Sequence, residues 1–291
     1  MQLTFITDEA TQQPREFVDL AQRFGLETLE IRTVFGKKLI DLADFELDDL
    51  TKRMKDVGLN VCCLDSDVFK CDLGDPVEIQ LDNLRRFAEV AVFLGCPLVR
   101  IFTFWRNDHP AKYHREIVDR LMKAGEIASQ FGVVPCIENG RRTMHCTGAE
   151  LSDLFHDLDL FKVVWDPANS VFGDTDRDPL RNGYPKIEKS IAHVHLKDPI
   201  YRSEEDREYV ELGKGQLGIE SHLRALQASG YTGAISLETH WRTERVIAPG
   251  KLDIPGGTDF SGDGYEATVI SLGYLKHLMT EIFSEETNDA V

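Results

Sequence analysis

Four side chains able to bind a metal stand where four successive apolar runs end. Glu138 closes Val133-Val134-Pro135-Cys136-Ile137, and Asp166 follows Phe161-Lys162-Val163-Val164-Trp165. His195 ends Ile191-Ala192-His193-Val194, and Glu238 follows Ala234-Ile235-Ser236-Leu237. Singly, each has an ordinary reading: an acid at a strand end caps a helix, Asp166 before Pro167 forms a turn, and an inward histidine is a satisfied core residue. Recurrence on four consecutive runs asks for a common reason. Three carboxylates brought to one spot repel one another unless protonated or neutralised by a cation. With one imidazole they suit Mn²⁺, with Mg²⁺, Co²⁺ or Zn²⁺ as alternatives, and leave positions for water or substrate oxygens.

The elements that must position these groups follow from punctuation. Gly25, Gly58, Gly95 and Gly132 recur every 33 to 37 residues, each after an amphipathic stretch and before an apolar run, and Gly230 repeats the pattern. Glycine just past a helix marks a left-handed cap. The spacing accommodates one strand, one helix and two loops, which implies parallel βα units. Eight strands are expected: 3–7, 28–32, 60–66, 98–102, 133–138, 161–166, 191–195 and 234–238. Helices are expected over 14–23, 46–56, 76–93, 113–130, 147–157, 178–184, 218–228 and 263–283, with Thr147 and Glu150 as a capping box. Eight such units in 291 residues fit a single-domain (β/α)₈ TIM barrel over 1–283 with a polar tail at 284–291. A doubly wound open sheet remains the rival, because alternation alone does not show closure.

Composition bounds the function. Fifty acidic residues against 33 Lys and Arg give a formal charge of −17, which opposes nucleic-acid binding and anionic membrane surfaces. No apolar run is long enough to span a bilayer, and the N-terminus lacks a signal-peptide pattern, so a cytoplasmic location is expected. The six cysteines, 62, 63, 71, 96, 136 and 146, form no Cys-x-x-Cys pair and read as buried thiols. Thr7-Asp8-Glu9-Ala10-Thr11 after the first strand carries no glycine fingerprint, so no nucleotide cofactor is expected.

Glu138-Asn139, Asp166-Pro167-Ala168-Asn169, His193-Val194-His195-Leu196-Lys197-Asp198 and Leu237-Glu238 together resemble the xylose isomerase-like TIM barrels. These include sugar isomerases, ketose 3-epimerases and inosose dehydratases. Leu29-Glu30-Ile31-Arg32 and Gly213-Lys214-Gly215 support the likeness, which covers nearly the whole chain. It implies that Glu138, Asp166, His195 and Glu238 bind one divalent metal, with His195 rather than His193 as the ligand. It also implies a metal-dependent sugar isomerase or epimerase: one of Glu138 and Glu238 removes the proton beside a ketose carbonyl and the other returns it. Strands five and eight lie about 135° apart around an eight-strand ring, so the two would flank the sugar.

The chain departs from the epimerases in two places. Asn169 stands where they carry His, and Lys197-Asp198-Pro199 replaces Gly-Glu and Arg. His-Leu-Lys-Asp is closer to inosose dehydratases and to relatives acting on keto-glycosides, which makes a lyase the alternative. Lys197 is a candidate acid or base if burial depresses its pKa, against a salt bridge to Asp198 or Glu238. Glu30, Arg100, Trp105, Asn169, His193 and His240 are candidate substrate contacts. Asp8, Glu9, Arg32, Arg141 and Arg142 are expected near the mouth, with Trp105 and Trp241 as sugar-facing walls. The long connection 243–262 reads as a lid or a subunit contact. A small unphosphorylated carbohydrate is the expected partner, and relatives suggest a homodimer or homotetramer.

Overall fold

The computed structural model describes residues 1–107, 109–247 and 261–289. Its eight barrel strands are β1 (Gln2–Phe5), β2 (Thr28–Ile31), β3 (Asn60–Asp65), β4 (Leu98–Ile101), β5 (Val134–Glu138), β6 (Lys162–Trp165), β7 (Ile191–Leu196) and β8 (Ala234–Leu237). From β2 to β8 each strand pairs in parallel with the next in the chain. β1 pairs with β8, and an Ile6–Glu30 bridge joins the β1 and β2 ends, so the ring closes. A doubly wound sheet would break that order; the barrel reading holds.

The outer helices are α1 (Pro14–Phe24), α2 (Asp44–Lys55), α3 (Val77–Leu94), α4 (His114–Gln130), α5 (Gly148–Leu154), α6 (Pro167–Phe172), α7 (Ile219–Ala228) and α8 (Tyr265–Asp289). α1 shows the logic: Phe17, Val18, Leu20 and Ala21 are buried, Pro14 starts the helix, and Gly25 ends it at φ +63°. Thr147 and Glu150 form the expected capping box of α5. After β6 the chain adopts α6 and two short helices, Pro179–Asn182 and Tyr184–Ile187, where one was expected. Asp166 caps α6 and Asp178 caps the next, each interrupting continuity. α8 runs to Asp289, so residues 284–289 continue a helix rather than forming a separate tail. The expected lid 243–262 falls largely on 248–260, outside the described residues.

Two short hairpins decorate the mouth: Thr33–Val34 with Lys37–Lys38, and Asp198–Tyr201 with Arg207–Val210. The second is fixed by Asp198, whose carboxylate accepts backbone N–H bonds from Gly213, Gly215 and Leu217 at 2.8–3.0 Å. A Cβ at Gly215 would lie 2.2 Å from Asp198 Oδ1, which explains glycine there. All six cysteines are free, and burial raises their thiol pKa values, which keeps them inert. Among the described residues, no helix is long and apolar enough to cross a membrane.

His222 on α7 is buried, and burial pushes its pKa from 6.5 down to about 4. The unfolded chain therefore takes up the proton first as pH falls. This contribution is intact above about pH 6.5 and erodes towards pH 4, by on the order of 3 kcal/mol at most. Tm measured against pH should fall less steeply in that window for His222→Leu. An unchanged slope would mean the imidazole is hydrated in the folded state.

Candidate metal centre and active site

Parallel closure sends all eight strand ends to one mouth, and Glu138, Asp166, His195 and Glu238 meet there, all buried. Single ligand atoms of Glu138, Asp166 and His195 lie within 4.8 Å of one another. His195 Nδ1 faces Glu138 Oε2 at 4.0 Å and Glu238 Oε2 at 3.9 Å. It has no hydrogen-bond partner, although it is completely buried. A ring nitrogen aimed between carboxylate oxygens, with nothing to bond, fits a divalent cation; Glu138, Asp166 and His195 offer two oxygens and one nitrogen, with Glu238 Oε2 3.9 Å from that nitrogen.

The other face of that ring explains its aim. His195 Nε2 donates to Glu30 Oε1 and His193 Nε2 donates to Glu30 Oε2, both at 2.9 Å. Burial raises the Glu30 pKa, but the two imidazoles outweigh it and hold the carboxyl well below its usual range. A carboxylate behind a metal-facing histidine fixes ring and tautomer. Glu30 and His193 are wholly buried, and the Glu30 carboxylate ties the two imidazoles together behind the site, leaving His193 Nδ1 without a hydrogen-bond partner. Glu30→Gln should weaken divalent-metal affinity by about 10- to 100-fold in a titration. Equal affinity would show that His195 needs no such anchor.

Each remaining carboxylate has its own cations. Arg100 Nη1 lies 2.5 Å from Glu138 Oε2, and its Nη2 lies 3.4 Å from Asp65. Asn169 Nδ2 donates to Glu138 Oε1 at 2.8 Å, and the Asn169 backbone N–H donates to Asp166 Oδ1 at 3.2 Å. Arg100 and Asn169, expected as substrate contacts, each hold one oxygen of Glu138. Lys197 Nζ bridges Asp166 Oδ2, at 2.5 Å, and Glu238 Oε2. Its partners are not Asp198, which caps the following loop. Burial would depress the Lys197 pKa as anticipated, but Asp166 and Glu238 outweigh burial and hold it well above the usual value. Lys197 is a fixed ammonium in this arrangement, not a ready base.

The same balance sorts the acids. Burial pushes Asp166 up to about 6 against the pull of Lys197. Burial also opposes ionisation of Glu138 and Glu238. Arg100 and His195 outweigh it at Glu138; His240, Lys197, His195 and Arg32 do so at Glu238, holding it well below the usual range. Burial disfavours the charged form of His195, yet Glu30 and the site's acids hold it protonated up to about 10. Three buried acids demand positive charge, whatever supplies it.

His240 sits between two acids, Nδ1 3.1 Å from Glu9 and Nε2 3.4 Å from Glu238, with Tyr209 edge-on at 5.1 Å. Arg32 joins Asp8, Glu9 and Glu238. Trp105 lines a cavity of about 380 Å³ with Asp72, Tyr113 and Arg120, and Lys70 Nζ lies 5.8 Å from its ring. Trp241 Nε1 donates to Ser271 of α8, so that ring anchors a helix. Arg141 lies over Phe172, 5.1 Å from its centroid, and Arg142 has φ 62°, a left-handed turn. Sequence reasoning gave Asn139 no role beyond its place in a motif and did not single out Tyr209, Asp65 or Lys70. Asn139 clasps the Asp166 backbone from both sides, accepting its N–H at 2.8 Å and donating to its carbonyl at 2.7 Å. Asp65 ends β3, and the strand-end rule that found Glu138 finds it as well. Lys70 and Tyr209 lie in loop and hairpin and gave no periodic signal.

Solved structures share this architecture at low identity. The IOLI protein with a bound zinc atom superposes at TM-score 0.75 with 19% identity, covering 98% of this chain and 100% of that one. L-ribulose 3-epimerase gives 0.73 and 16%, covering 100% and 98%. The probable 3-DHS dehydratase AsbF of Bacillus anthracis gives 0.73 and 15%, covering 94% and 98%. No curated protein matches the chain by sequence. The model of the xylose isomerase-like TIM barrel family matches residues 18–260. With its closed ring and its acids gathered at the strand ends, the chain belongs to the xylose isomerase-like TIM barrel family.

Proposed function

We propose that this protein is a divalent-metal-dependent isomerase or epimerase of a ketose or keto-sugar, with Glu138 and Glu238 as the proton-transferring pair. The observation that carries the reading is His195 Nδ1, buried, partnerless and facing both glutamates at 4.0 and 3.9 Å. Glu138, Asp166, His195 and Glu238 would hold the metal, and Mn²⁺ suits three hard oxygens with one imidazole. Such a cation supplies Lewis-acid stabilisation of the charge that develops on a sugar carbonyl oxygen as the neighbouring proton leaves. Glu138 and Glu238 are kept ionised by Arg100 and by Lys197, His240 and Arg32, so either can accept that proton. Arg100 and Asn169 each take one oxygen of Glu138, which fixes the direction from which it approaches the sugar. With a dication offsetting the charges of Asp166 and Glu238, the Lys197 ammonium would be free to bond substrate oxygens.

A lyase is the second reading, favoured by that same ammonium. Lys197 would donate a proton to a departing β-hydroxyl after the same first proton abstraction. Relatives of both kinds support keeping the two: a 3-keto-D-glucoside 4-epimerase of E. coli, at TM-score 0.65 and 18% identity, and the 3-DHS dehydratase. Incubation of the Mn²⁺-loaded protein with a panel of ketoses and keto-glycosides in deuterated water decides between them. Deuterium uptake with retained carbon framework and oxygen count supports the isomerase; loss of water supports the lyase. No exchange with any member rejects both.

A further inference from the structure

We propose that Lys70 receives a carboxylate of the substrate at the rim of the mouth, so that the protein acts on acidic keto-sugars. Lys70 follows β3 on a loop laced to the one after β4. Phe102, Phe104 and Trp105 donate backbone N–H bonds to the carbonyls of Val68, Phe69 and Cys71 at 2.8–3.0 Å. Its position is therefore as fixed as the strands. The ammonium lies 4.8 Å from the Phe102 ring centroid and 5.8 Å from that of Trp105. Arg100, which holds Glu138, lies 4.5 Å from the Phe102 centroid.

Among the described residues, no carboxylate comes within ion-pair distance of Lys70. Arg32, Arg100 and Lys197 are each bound to acids of the site, so the contrast is specific. Lys70 and Arg100 share the Phe102 ring, and Arg100 holds Glu138, which places Lys70 on the side of the mouth. Desolvation of the half-buried ammonium, with Arg100 nearby, draws its pKa down to about 8. Aromatic faces stabilise such a cation but leave its N–H donors unspent. A single carboxylate satisfies them. A phosphate dianion characteristically draws a guanidinium fork or a set of backbone amides, and the surroundings of Lys70 are aromatic instead.

The inference rests on the reading of the mouth as a metal-dependent sugar site. Calorimetric titration of the Mn²⁺-loaded protein with D-fructose, D-tagatose, D-fructuronate, D-tagaturonate and D-fructose 6-phosphate tests it. Wild type should bind a ketouronate at least about tenfold tighter than its best neutral ketose, a preference that collapses in Lys70→Gln and survives in Lys70→Arg. Thermal melts of both variants serve as the folding control. Three results overturn the proposal: no preference for uronates, a preference intact in Lys70→Gln, or the phosphate bound ahead of the uronates. Deuterium exchange on the neutral ketoses alone would overturn it while leaving the reading of the metal site standing. Absence of metal binding would instead strike that reading.

Discussion

Glu238→Gln is expected to lower turnover by about 10²- to 10⁴-fold, the range for removing a positioned acid–base group. The change is nearly isosteric but deletes a charge on which much of the mouth converges. Lys197 keeps only Asp166, Arg32 keeps Asp8 and Glu9, and His240 keeps Glu9. Those remaining acids leave each cation at least one partner, so the barrel should still fold. Steady-state turnover, solvent-deuterium exchange and metal content, measured on one preparation, separate the two roles assigned to Glu238. Metal retained with exchange lost marks it as a proton carrier; loss of both marks it as a ligand as well. Unchanged turnover and unchanged metal content would remove it from the chemistry.

Lys197→Met should produce the second large effect, and its size should depend on metal. Nζ lies between Asp166 and Glu238, both buried, where its positive charge offsets theirs. Removing one partner of a buried ion pair costs about 3–5 kcal/mol, because the surviving charges stay buried and uncompensated. That corresponds to a fall in Tm of about 5–15 °C for the metal-free protein. Saturating Mn²⁺ would neutralise the same carboxylates, so the variant should recover most of its stability when loaded. The gap between metal-free and metal-loaded Tm therefore widens relative to wild type. An equal fall in both forms would mean that Lys197 and the cation do not share these acids.

Several features were legible in residue order because their causes are local. Glycines after amphipathic stretches require left-handed backbone, and Gly25, Gly58, Gly95, Gly132 and Gly230 all have φ between +63° and +74°. Apolar runs of strand length between helices impose βα units, and closure of eight of them then brings their C-terminal ends together. Glu138, Asp166 and Glu238 could be singled out on that ground, and His195 over His193 from the family resemblance. Less visible were interruptions: the hairpin Asp198–Tyr201 with Arg207–Val210, and the split after β6, depend on side-chain caps rather than on period.

The order of residues thus determined the barrel and the four strand ends where acids and an imidazole gather. Tertiary structure decided what each functional side chain holds. Glu30 grips His195 across 165 residues, Lys197 reaches Asp166 across 31 and Glu238 across 41, and Arg100 reaches Glu138 across 38. Nothing in residue order distinguishes Glu30 beneath the site from Glu138 within it, or sends Lys197 to Asp166 instead of its neighbour Asp198. Those choices follow from how far each side chain extends into a closed ring and from the cost of leaving any buried charge without a partner.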